Sequence, residues 1–517
     1  MRRRLLSASL LILPFVLHAQ LITNPAAIPR TGNPPVVFLN GFETDCAATS
    51  FQHVFGIADQ VLQANNRVSL FFNNCNIAGS PSIEKLGAAF GAFLQTLTYT
   101  DGQSVGTVDV VGYSMGGLIV RSYLSGKQEA LATFAPPPSI QIGKAIFIAT
   151  PNFGTPVAAL AFGASVQADE LSSGSHFLID LNTWNQNHDD LRGVNAIGIA
   201  GTGGTGLAVT NGFDDGLIAL SSASLGFYMA GRTRVLPLCH VASPGLLTET
   251  GFCAPNAKGI SKILAATDDN ARIIVSFLNG TPEWQTIGET IEQNSFLRNG
   301  GGIMVRARTA TDGTINPSSV NAAPAAGGGK KLNMSNSEIA YTDLIGAGPG
   351  TITVSAGAQS FSQPVNVKAG GGQALVIKPG PSVNAVYPAA AAPFPLVVTP
   401  RMIVAIYGSN LDAATVTLDG APLTLLYVSA TQVNAVLPAG ASPGLRKLNV
   451  VNSSGSQTIN LWVEPAFPAV FSLDQTGTGA AAAVNANTGK VVSSSNPMHA
   501  GEYLELFVTG LGATENR

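Results

Sequence analysis

The chain has 517 residues, of which 11% are charged, and a formal net charge of −3. That length is too great for one domain and predicts three. The sparse and nearly balanced charge gives no footing for nucleic acid or for an acidic membrane surface.

Residues 1–19 have the layout of a secretory signal peptide. Met1-Arg2-Arg3-Arg4 is basic, residues 5–17 are apolar and broken by Pro14, and Leu17-His18-Ala19 offers a small-residue cleavage site before Gln20. The apolar run is too short to span a bilayer. The expectation is export, to a secreted or cell-surface location, with a retained anchor as the other reading. Export in turn makes disulfides the default state of Cys46, Cys75, Cys239 and Cys253. Zinc is a poor reading, because no Cys-x-x-Cys pair or nearby histidine cluster is present.

Along the mature chain, residues 35–39 form a continuous apolar run that ends at Asn40-Gly41-Phe42-Glu43. This is the pattern of a buried parallel strand running into a glycine turn. Residues 67–72 repeat the pattern before Cys75, and residues 83–97 show helical spacing after Pro81-Ser82. Residues 108–111 read as a short β-branched strand, followed at once by Gly112-Tyr113-Ser114-Met115-Gly116 and an amphipathic helix. Strand, Gly-x-Ser-x-Gly and helix in that order make a nucleophile elbow, which exposes the serine hydroxyl on a strained turn. Residues 144–149 are another strand. The weakly helical, apolar segment 157–192 then interrupts the rhythm and is expected to be an inserted cap. Strands at 194–200 and 233–238 and a helical stretch at 257–278 complete a mostly parallel sheet covered on both faces. Beyond residue 280 short alternating runs separated by glycine-rich turns predict β-structure alone.

The resulting organisation is an α/β-hydrolase fold with an inserted cap, followed by two all-β, sandwich-like domains. Its boundaries are a signal peptide at 1–19, a catalytic domain at 20–281 and a β-sandwich-like domain at 282–372 closed by Ala369-Gly370-Gly371-Gly372. A C-terminal β-domain at 380–517, expected to be cut short, follows.

A serine nucleophile needs a base, and the base an orienting acid. With this elbow the chain order is serine, acid, histidine. His53 precedes Ser114, His176 and His188 fall in the cap, and His499 lies in the last β-domain, which leaves His240 after a late strand. Asp214 and Asp215 form an acidic turn after the preceding strand. Asp215, directly before Gly216, is preferred, with Asp214 as its rival. The oxyanion donors expected are the backbone N–H groups of Met115, at the helix N-terminus, and Phe42, on the loop after 35–39. The sequence-local pairing Cys46–Cys75 and Cys239–Cys253 is favoured because both bridges then brace loops of this site.

At these residues the chain resembles secreted bacterial triacylglycerol lipases and related esterases. The matching pieces are residues 36–42, Gly112 to Gly117, Ala149-Thr150-Pro151-Asn152-Phe153-Gly154-Thr155-Pro156, Asp215-Gly216-Leu217-Ile218, and a cap-like segment at 171–182. The resemblance covers roughly residues 35–280 and implies ester hydrolysis through an acyl-enzyme, with Ser114, Asp215 and His240 as the triad and no cofactor. Two departures stand out. Asn40 occupies the position where the family usually has histidine, and the aspartate two residues after the histidine in calcium-dependent relatives is absent at Ala242, so no calcium site is expected. Residues 380–517 resemble a second family, a β-domain found on many large secreted bacterial proteins, through pieces such as Ile403 to Leu411 and Pro465-Ala466-Phe467-Pro468.

The reading is therefore a secreted serine ester hydrolase acting on an acyl ester or lipid, with contact to a cell surface or matrix left to the β-domains. Two alternatives stay open. A lipid acyltransferase or deacylase would use the same triad, and a cell-surface binding protein would keep the hydrolase domain as a scaffold.

Overall fold

The computed structural model describes residues 21–512 apart from Thr44, 187–190, 208–212, 243–250, 325–328, Ala358, 391–396 and 475–478. The expected signal peptide and His188 therefore lie outside the described residues.

Eight strands form the first sheet: β1 (Leu21–Ile22), β2 (Val36–Leu39), β3 (Ser69–Phe72), β4 (Val108–Tyr113), β5 (Ile142–Ile148), β6 (Asn195–Gly201), β7 (Thr233–Leu236) and β8 (Glu289–Thr290). Their order is β1-β3-β2-β4-β5-β6-β7-β8, parallel throughout except for the antiparallel β7–β8 pair at one edge. The central strands are largely apolar, with β2 apolar at all four positions, because both faces are covered. In β2, Val37 and Leu39 join one core, and Val36 and Phe38 join the other. In β4, Val108 and Val110 part in the same way from Val111 and Tyr113.

One face is covered by α3 (Ile83–Thr96) and α4 (Met115–Ser125), and the other by α1 (Phe51–Phe55), α2 (Ala58–Gln63) and α9 (Asp269–Asn279). Ser82 caps α3 by accepting a hydrogen bond from the Lys85 N–H, and Ile83, Leu86, Phe90 and Leu94 form its buried stripe. The closing helix begins later than the expected residue 257. Residues 258–263 are drawn into bridges instead, with Gly259 beside Cys239 and Ile263 beside Gly56, so their backbone groups are not free for helix. Helix starts only at Asp269, after Asp268 has accepted from the Leu264 and Ala265 N–H groups.

The inserted segment expected at 157–192 divides in two. Helices α5 (Ala158–Phe162) and α6 (Val166–Leu171) carry exposed apolar residues such as Leu160 and Val166, as a cap would. Helix α7 (His176–Thr183) is core: Phe177, Leu178, Ile179 and Leu181 are buried, and the helix packs against the domain that follows. A short helix α8 (Leu220–Ala223) precedes β7.

The second unit is a sandwich of two four-stranded sheets built from β9 (Gly300–Ala307), β10 (Ser319–Pro324), β11 (Lys330–Lys331), β12 (Asn333–Met334), β13 (Ile339–Gly346), β14 (Gly348–Ala356), β15 (Gln359–Val367) and β16 (Gly372–Ile377). The stretch 369–372, expected to close this domain, instead makes its last turn at 369–371. The chain re-enters the sandwich as β16, parallel to β9. Strands between residues 382 and 463 form a second pair of four-stranded sheets around its own core, and short strands follow as far as Thr509.

Candidate active site

Ser114 sits between β4 and α4 with φ 53° and ψ −126°, a conformation rarely open to a non-glycine residue. The surroundings explain why the flanking residues are glycines. A Cβ on Gly112 would lie 2.8 Å from the Gly117 backbone, and one on Gly116 would lie 2.5 Å from the Leu39 carbonyl oxygen. The turn closes only without those side chains.

The structure brings the three expected residues together from three loops. His240 Nε2 lies 3.0 Å from Ser114 Oγ, and His240 Nδ1 lies 2.8 Å from Asp215 Oδ2. All three side chains are buried. The other carboxylate oxygen of Asp215 accepts from the backbone N–H groups of Leu217 and Ile218, so the acid is fixed on both sides. The His240 N–H donates to the Asp215 carbonyl at 2.7 Å, which ties the two loops together again. Asp214, the rival acid, points elsewhere: its Oδ1 accepts from the Gly216 N–H.

The loop after β2 approaches the serine closely. A Cβ on Gly41 would lie 2.8 Å from the Ser114 Cβ, so only glycine lets this backbone pass. Asn40, the residue that departs from the expected histidine, is buried and holds the loop. Its side chain exchanges hydrogen bonds with Asn74, through the Asn74 N–H and Oδ1, while Asn74 Nδ2 donates to the Gly41 carbonyl. The neighbouring Cys75 is bridged to Cys46. Phe42 and Met115 thus lie on the two segments that flank Ser114. The first N–H groups of α4, Met115 among them, have no intrahelical partner. On the other side, Cys239 is bridged to Cys253, and the Cys253 sulfur sits 3.4 Å from the Asp215 carbonyl.

Two contacts were not legible beforehand. The Tyr113 hydroxyl donates to the His240 carbonyl at 2.7 Å, and its ring lies against the imidazole with centroids 5.2 Å apart. Burial, with the charges of Glu43 and Asp215 adding to it, pushes the Tyr113 hydroxyl well above its usual range, so it stays a donor. Burial also pushes the Glu43 carboxyl up to about 7, against the pull of His240. Tyr113 occupies the free position of Gly-x-Ser, and Glu43 follows Phe42 on the loop after β2, where no spacing rule names them. Among the described residues no group of three His, Cys, Asp or Glu could hold a metal ion, and no helix is long and apolar enough to cross a membrane.

Residues 91–196 match the family model for class 2 lipases, a stretch that contains β4, Ser114, α4 and β5. This part of the chain is lipase-like. Residues 381–461 match the IPT/TIG domain model. The likeness to lipases and esterases read from the sequence, and that of the C-terminal region to a β-rich domain, are both borne out by these matches. Among solved structures, the chain is similar to the phospholipase PlaB from Legionella pneumophila, with 14% identity over 67% of this chain and 93% of that one, at a TM-score of 0.49. It is also similar to the mature lipase BlEst2 from Bacillus licheniformis, with 19% identity over 40% and 85% and a TM-score of 0.28. No curated protein sequence matches the chain significantly. The α/β unit thus carries a lipase-like segment, and beyond the β-sandwich lies a stretch that matches the IPT/TIG domain model.

Proposed function

We propose that the chain is an exported serine carboxylic ester hydrolase that cleaves acyl esters of lipid character. The observation that carries this reading is the unbroken relay from Ser114 Oγ through His240 to Asp215, at a strained elbow inside the lipase-matching segment. In this reading His240 Nε2 takes the Ser114 proton as Oγ attacks the ester carbonyl. Asp215 holds the imidazole with Nε2 facing the serine and steadies the imidazolium without taking its proton. The carbonyl oxygen, now negative, is received by the Phe42 and Met115 N–H groups. The imidazolium then protonates the departing alkoxide, and a water activated by the same histidine releases the acid. The two disulfides and the leader-like N-terminus support export.

The test is hydrolysis of p-nitrophenyl esters by the full chain and by Ser114→Ala. Loss of about 10³-fold or more in kcat in a folded Ser114→Ala protein is the expected result. Equal activity in both proteins would remove the serine from the mechanism.

A further inference from the structure

The apolar residues around the triad do not stop at the lipase-like domain. On the serine side the Phe42 ring, next to Gly41, packs at a tilt against Phe162 of α5 with centroids 4.7 Å apart. Phe162 is shared between two apolar clusters. One lies under the oxyanion loop, and the other contains Leu217 beside Asp215 and Cys239 beside His240. The second cluster includes one residue from the β-sandwich, Leu344.

Leu344 reaches it through a local irregularity of its strand. The β13–β9 register shifts between Thr342 and Ile345, so Ile345 enters the sandwich core while Leu344 is turned out of it. A bulge of this kind re-aims a side chain. The Leu344 carbonyl is pinned from two directions, by Lys330 Nζ at 3.0 Å and Thr342 Oγ1 at 3.2 Å. Phe42, Phe162, Val157 and Leu344 are all half-buried, so each keeps apolar surface that the fold leaves uncovered. The four bear no charge: Phe42 touches Phe162, and Phe162, Val157 and Leu344 all pack against the cluster that flanks Asp215 and His240.

We propose that the acyl chain of the substrate lies along this seam between α5 and the sandwich, and that Leu344 sets the preference for longer chains. The inference rests on the ester-hydrolase reading for its substrate but not for its geometry. A flexible hydrocarbon suits a half-buried apolar track, because each methylene withdrawn from water adds affinity without needing a polar partner.

The test compares kcat/KM for p-nitrophenyl butyrate and p-nitrophenyl laurate in the full chain and in Leu344→Gln. The expected result is a fall of about tenfold on laurate with butyrate changed less than about twofold. An equal fall on both esters, or no fall on either, would overturn the proposal. Should Leu344→Gln fold poorly, Leu344→Ala supplies the same comparison, with a smaller but still laurate-selective loss. Binding of free laurate to the Ser114→Ala protein, with and without the Leu344 substitution, gives a readout independent of turnover. Binding weakened about tenfold by Leu344→Gln, together with no ester cleaved by the chain that keeps Ser114, would sink the hydrolase reading and leave the seam standing. Laurate binding indifferent to Leu344 would sink the seam alone.

Discussion

Asp180 of α7 and Arg306 of β9 meet 2.7 Å apart across the junction between the lipase-like domain and the sandwich, with both side chains buried. The same carboxylate accepts from the Ala132 N–H and lies 3.5 Å from Lys127 Nζ. Around this pair, Ser224 donates to the Gly370 carbonyl, and the Phe153 ring leaves no room for a Cβ on Gly372. The sandwich is therefore packed onto the loops that follow β5 and the acid, not tethered beside them.

Replacing one member of a buried ion pair strands the other, which usually costs 3–5 kcal/mol. Arg306→Met removes the guanidinium while keeping much of its volume. Lys127 remains near Asp180, so the expected loss is smaller, about 2–3 kcal/mol in urea unfolding. A loss below about 0.5 kcal/mol, the level of ordinary surface substitutions, would mean that the two domains do not depend on this contact.

The two neighbouring aspartates separate cleanly by substitution. Asp215→Asn keeps the shape but gives Nδ1 a partner that favours the wrong tautomer, and kcat should fall by about 10⁴-fold. Asp214→Asn alters the turn around Gly216 without touching His240's partner and should cost less than about tenfold. Steady-state kinetics on one ester settles the assignment. The reverse order of losses would exchange their roles.

Much of this site could be read from the chain because its determinants are local. The run at 36–39 is apolar at every position because a parallel strand is buried on both faces, and Gly112 is required by the Gly117 backbone five residues on, although Gly116 is required by the Leu39 carbonyl of the neighbouring strand. The elements misjudged depend on distant partners. Helical spacing in residues 176–183 reports an apolar face, but its cover comes from residues far along the chain, such as Met304 and Ala374. Trp184, next in sequence, packs against Trp462 of the last strand of the second sheet pair. Asn40 looked like a defect in a motif until Asn74 appeared opposite it. No periodicity reports that pairing.

Cys239–Cys253 should matter for catalysis as well as for stability. The bridge spans a sequence separation of 14 and places sulfur against both Gly216 and the Asp215 carbonyl. A loop of that length stabilises the fold by about 3 kcal/mol in the chain-entropy account. The double substitution Cys239→Ser and Cys253→Ser should lower the melting temperature. It should also lower kcat at temperatures well below melting, because the loop carrying His240 loses its brace. A changed melting temperature with kcat intact would confine the bridge to a structural role.

Gly41→Ala tests the close approach of the loop after β2, which in the proposed mechanism carries an oxyanion donor. Its Cβ would fall 2.8 Å from the Ser114 Cβ, so either the loop or the serine must move. The misplaced donor predicts a fall of about 10²-fold in kcat, the scale of losing one oxyanion contact. KM for a short ester should change far less. A fall confined to KM would place Gly41 in substrate binding.

Glu43 gives the fold a pH dependence whose sign follows from its raised carboxyl. Burial pushes that group up to about 7 from an ordinary 4.5, so the native state holds the proton more tightly than the unfolded chain does. Its favourable contribution is present below about pH 4.5 and is lost as pH rises towards 7. Above 7 the folded protein carries a poorly solvated carboxylate that the unfolded chain keeps in water. Glu43→Gln keeps the shape and abolishes the titration. It should leave stability near pH 4 unchanged and raise it at pH 8 by about 1–2 kcal/mol, a figure reduced for the part of the side chain that water still screens. Melting curves of the two proteins at both pH values decide the matter. A difference that is the same at pH 4 and pH 8 would mean that Glu43 titrates alike in the folded and unfolded states.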